Sequence, residues 1–156
     1  MPTNEIEKQY NELKKKHKLP DFKDLDFEFE LSDLEPTNFL SRAIIRRIAE
    51  KLDFYTTMLE EVLQPDASNF YAMRENRFFD EDEKKQMYDF YSRLMIFSRR
   101  SVEISLENDI GEEAEFVNNF CGEWHEMKKE LVRYIKKMKD SWQSETDIKE
   151  DVGYLG

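Results

Sequence analysis

EEAEFVNNFCGEWHEMKKELVRYIKKMKDSW, residues 112–142, is the stretch whose reading decides the fold. Within it Val117, Phe120, Trp124, Met127, Leu131, Tyr134, Met138 and Trp142 recur at alternating steps of three and four. That spacing places them on one stripe of an α-helix, because 3.6 residues complete a turn. Almost four heptads of such a stripe need a wide apolar surface to lie against, and a bundle of comparable helices supplies one.

Working back from this helix, Asn108-Asp109-Ile110-Gly111 interrupts the pattern. Before the break, Met87, Phe90, Tyr91, Leu94, Phe97 and Ile104 supply a buried side over residues 81–107. Asp80 and Glu83 have the spacing of a capping box, and acids crowd the first turn, where the helix dipole favours them. Further back, Pro36-Thr37 marks a start, and Leu40, Ile44, Ile48, Leu52, Tyr55, Leu59 and Val62 form a stripe that predicts a helix over 37–64. Gln64-Pro65-Asp66 closes it, and 66–78 holds a short helix within a connection. At the N-terminus Asn4 and Glu7 resemble a capping box ahead of Ile6, Tyr10 and Leu13, which predicts a helix over 4–18 ended by Leu19-Pro20.

The segment DFKDLDFEFELSDLE, residues 21–35, differs in kind. It holds seven acids against one lysine, and Phe27, Phe29 and Leu31 alternate with Glu28 and Glu30. A period of two is that of an extended chain with one apolar face. The expectation is therefore an all-α, antiparallel bundle of four helices (4–18, 37–64, 81–107 and 112–142). An extended acidic-aromatic strap at 19–36 and a frayed tail complete it. Residues 1–142 form one domain, and 143–156 lose periodicity and read as a flexible acidic tail.

Composition agrees with long helices. Of 156 residues, 39% are hydrophobic and 38% charged, with only four Gly and four Pro. The single Cys121 excludes an intramolecular disulfide and any cysteine cluster, so a reducing cytoplasmic setting is expected. No apolar run has the length of a membrane span, and residues 1–30 lack the apolar core of a signal peptide. A net charge of −11 repels nucleic acid and anionic lipid at long range.

Catalytic patterns are missing. The bundle positions lack the Glu-x-x-His pairs of a di-iron site, since Gly122 stands three before His125 and Lys14 three before His17. Cys121, Glu123, His125 and Glu126 lie close in sequence, but helical geometry turns 123 and 126 away from the face of 121 and 125. Cys121 also adjoins the Phe120–Trp124 stripe, so a packed thiol is the favoured reading over a nucleophile or metal ligand. No phosphate-cradling glycine motif occurs. Neither a cofactor, a metal nor a small-molecule substrate is implied.

Two stretches remain for binding. Phe22, Leu25, Phe27, Phe29 and Leu31 of the strap either fill a groove of the chain's own helices or meet a partner. Lys128, Lys129, Arg133, Lys136 and Lys137 form the one strongly basic stretch, read as a solvated helix face or as contacts for phosphate or an acidic partner. Arg46 with Glu50 and Arg99 with Glu103 have the spacing of helix-surface ion pairs. Ser98, Ser101 and Ser105 share a face that lets another helix approach. The leading expectation is a non-enzymatic protein-interaction or adaptor module that binds a protein partner or a second copy. The first alternative is an RNA- or ribosome-associated factor, and the second an enzyme or metal-binding bundle with a site near Cys121 and His125. The sequence leaves the partner, the oligomeric state and the biological process open.

Overall fold

A computed structural model describes residues 2–144, with side chains from residue 5 onward. All regular structure in it is helical: α1 (Pro2–His17), α2 (Phe22–Phe29), a 3-10 turn (Leu31–Asp33), α3 (Leu40–Leu63), α4 (Phe70–Arg77), α5 (Glu81–Glu107) and α6 (Ile110–Gln143). No described helix is long and apolar enough to cross a membrane.

The count is six α-helices among the described residues: four bundle helices were expected, the short helix expected within 66–78 is α4, and the largest correction falls on 19–36. That segment is helical rather than extended. Phe22, Leu25 and Phe29 are its buried positions, and steps of three and four put them on one helical face, whereas Phe27 is 86% exposed. The alternation of 27, 29 and 31 misleads because the chain changes direction between 29 and 31. Glu30 adopts the left-handed conformation (φ 56°, ψ 47°) and ends α2, which turns Leu31 back into the core. Asp26 fixes the turn by accepting a hydrogen bond from the Ser32 backbone N–H at 2.7 Å.

Other boundaries move by local causes. Helix α1 begins at Pro2, whose fixed φ suits the first helical position, so Asn4 lies inside the helix. Helix α3 begins at Leu40 because Thr37 Oγ1 takes the Phe39 N–H at 3.1 Å and holds 37–39 in a turn. Asp109, read as part of a break, instead accepts the Glu112 N–H at 3.2 Å and starts α6. The box at α5 forms as expected, with Asp80 accepting from Glu83 N–H at 2.8 Å and Glu83 accepting from Asp80 N–H at 3.0 Å. Of the tail expected over 143–156, Gln143 closes α6 and residues 145–156 lie outside the described residues.

The described chain divides into two compact units, and α3, α5 and α6 each contribute to both. The first takes the described part of Met1–Asp53 together with Ile96–Trp124. Its core gathers Ile6, Tyr10, Leu25, Leu31, Ile44, Ile48 and Phe120, all at most 2% exposed. Phe29 packs against both Phe120 and Trp124, at ring-centroid distances of 5.9 and 6.4 Å, and the Tyr10 ring meets Phe22 at 5.5 Å. The Tyr10 hydroxyl donates to the Pro20 carbonyl and Lys51 to that of Glu28, so polar bonds accompany the apolar contacts.

The second unit takes Phe54–Met95 and the described residues from His125 onward. Leu59, Met87, Phe90, Leu94, Met127, Leu131, Tyr134 and Met138 form its core. Buried Arg74 of α4 donates to the Ser141 carbonyl at 2.6 Å and stacks on Trp142 at 4.8 Å, so a cation satisfies the end of α6 where the dipole is negative. At the end of α3 the neutral amide of Asn76 donates to the Val62 carbonyl at 2.7 Å.

Candidate binding cleft

Extending the three-four spacing of α6 one step before Val117 lands on Glu113, a carboxylate on an apolar seam. Its side chain is 2% exposed. A buried carboxylate needs partners, and α3 provides them. Ser41 donates to Glu113 Oε1 at 2.5 Å, and Arg42 Nε lies 3.3 Å from Oε2. Arg42 also lies over the Phe39 ring, 4.9 Å from its centroid.

Both residues of this ion pair line a cleft of about 330 Å3 in the first unit. Ile45, Arg46 and Ala49 of α3 line one side, and Ser101, Val102, Ile104 and Ser105 of α5 the other. Ser101 and Ser105 donate their hydroxyl protons to their own helix, to the Ser98 carbonyl at 2.6 Å and the Val102 carbonyl at 2.5 Å. Guanidiniums are therefore the strong donors left at the mouth. Val102, at 51% exposure, and Leu106, at 77%, carry an apolar strip along α5 beside it.

The expected ion pairs around this cleft do not form. Arg46 has no carboxylate partner among the described residues, Glu50 included. Glu103 pairs with Arg100 at 2.6 Å and not with Arg99. Arg100 also holds Glu107 at 3.2 Å and Glu112 at 2.6 Å, which keeps its guanidinium firmly charged. Glu103 and Glu107 reach Arg100 from its own helix and Glu112 from the first turn of α6, and Arg99 is left exposed.

Phe22, Leu25, Phe29 and Leu31 are buried in the first unit's own core, and Phe27 alone of the five reaches the surface. In the second unit, Lys137 pairs with Glu83, Lys129 with Glu126 at 3.3 Å, and Lys128 is half-buried. Arg133 lies over the Tyr134 ring at 5.4 Å, and Lys136 is exposed without an ion pair among the described residues. The basic stretch thus presents fewer free cations than its composition suggests.

Cys121 is half-buried, and burial, helped by the nearby Glu28 charge, pushes its thiol up to about 12. Such a thiol stays protonated near neutral pH and is a poor nucleophile. His125 is exposed. Among the described residues, no three His, Cys, Asp or Glu side chains cluster as a metal site.

The cleft itself escaped the sequence reading. Its signals were Glu113 and Ser101, polar residues at seam positions of their helices, and the missing partner was tertiary. No known protein family, curated protein or solved structure matches this chain, so its function is argued from this geometry.

Proposed function

We propose that the chain is a non-enzymatic protein-interaction module, an antiparallel helical bundle acting in the cytoplasm. The observation that carries this reading is the apolar strip on the outer face of α5 in the first unit. Val102, which lines the open cleft, and Leu106, one turn further on, are each more than half exposed. A contiguous exposed apolar patch is the surface feature by which contact sites are recognised. A thiol held protonated gives the alternative of a site near Cys121 and His125 little to work with.

The test is purification of the intact protein from native cells, with mass determination of the isolated particle. A stoichiometric protein partner or a second copy is the expected result. Repeated isolation as an inert monomer overturns the proposal. Recovery of RNA in its place, lost at raised salt and in Lys136→Glu, replaces it with the RNA-associated reading built on Arg133 and Lys136.

A further inference from the structure

We propose that the cleft between α3 and α5 in the first unit is the docking groove for an acidic amphipathic helix of a partner protein. This rests on the reading of the chain as an interaction module and names the partner's chemistry. A volume of about 330 Å3 gives room for anchoring side chains of a docked segment. Ala49, Ser101 and Ser105 keep the floor shallow in side-chain bulk, so a helix can approach closely. Val102 and Leu106 offer apolar area for its inner face, in the manner of helix-in-groove recognition.

Charge selects the sign of the partner. The cleft is lined by two guanidiniums, Arg42 and Arg46, against the one carboxylate of Glu113, which Ser41 and Arg42 already occupy. On α5, Arg99 lies three residues before Val102 and seven before Leu106, on the same helical face. Neither Arg46 nor Arg99 has a carboxylate partner among the described residues, although acids outnumber bases by 35 to 24 in the chain. Carboxylates flanking a partner's apolar stripe would complete both. A second copy would bring its own Arg46 and Arg99 together with the exposed Glu50, so a partner segment with several carboxylates complements this face better than self-pairing does.

The probes are two synthetic helical peptides of about five turns each. Both carry one leucine stripe, flanked by glutamates in one and by lysines in the other. Binding to the full chain is measured by fluorescence anisotropy and located by amide chemical shifts. The glutamate peptide is expected to bind and to shift the amides of Ala49, Ser101 and Ser105. Its affinity should fall about tenfold or more in Arg46→Glu/Arg99→Glu, a change at two solvent-facing positions, and should weaken with salt. The lysine peptide should leave those amides unmoved. Absence of shifts in the groove, equal binding by the double variant, or a groove response to the lysine peptide overturns the inference. If a partner purified with the intact protein is retained by the double variant, the groove assignment fails while the interaction module stands.

Discussion

Replacing Phe29 and, separately, Phe27 by alanine tests the assignment of 22–29 as a helix. Phe29 is 2% exposed, with ring neighbours Phe120 and Trp124 and the Lys51 ammonium 5.2 Å from its centroid. Truncating a buried phenylalanine removes its transfer free energy and leaves a cavity, together about 3–5 kcal/mol. The upper part of that range applies here, because two aromatic contacts and a cation over the ring are lost together. Phe27 is 86% exposed, and its truncation should change stability by no more than about 0.5 kcal/mol. In an extended strap the two side chains would share one face and one cost. Urea unfolding followed by far-UV circular dichroism separates the cases. With a slope of about 2 kcal/mol per molar urea, the Phe29→Ala midpoint should fall by about 2 M while that of Phe27→Ala hardly moves. Comparable losses from the two substitutions would refute the helical register.

Two further outcomes follow from the backbone and from the buried thiol. Glu30→Gly should raise stability by about 0.5–1 kcal/mol, because φ 56° strains a residue with a Cβ and glycine removes that strain; a lower urea midpoint would count against the left-handed end of α2. The thiol of Cys121 moves from an ordinary 9.0 to about 12, so the unfolded chain releases its proton at lower pH than the folded chain does. Stability should therefore fall as pH rises through this window, by at most about 1.4 kcal/mol per pH unit. The tyrosines Tyr10 and Tyr134, also shifted upward mainly by burial, join only above their ordinary 10.0. Cys121→Ala should flatten the dependence just above pH 9, and an unchanged slope there would remove the buried thiol as its cause.

Local patterns alone determined the long helices of this protein. The stripes repeat for six turns or more over α3 and α6 and for about five over α5, and the Asp80–Glu83 box marks the start of α5. A helix so marked is set by contacts within a few residues, which sequence spacing records. Tertiary structure decided the rest. The short α2 carries both a period of two and a helical period, and only burial against Phe120 and Trp124 selects between them. The seam carboxylate Glu113 meets its partners Ser41 and Arg42 across more than seventy residues of chain. Arg99 stays without a carboxylate because Glu103 pairs with Arg100 instead, and Arg46 has none among the described residues. Pairings of that kind depend on which helix faces come together in space, and residue spacing along one helix holds no record of them.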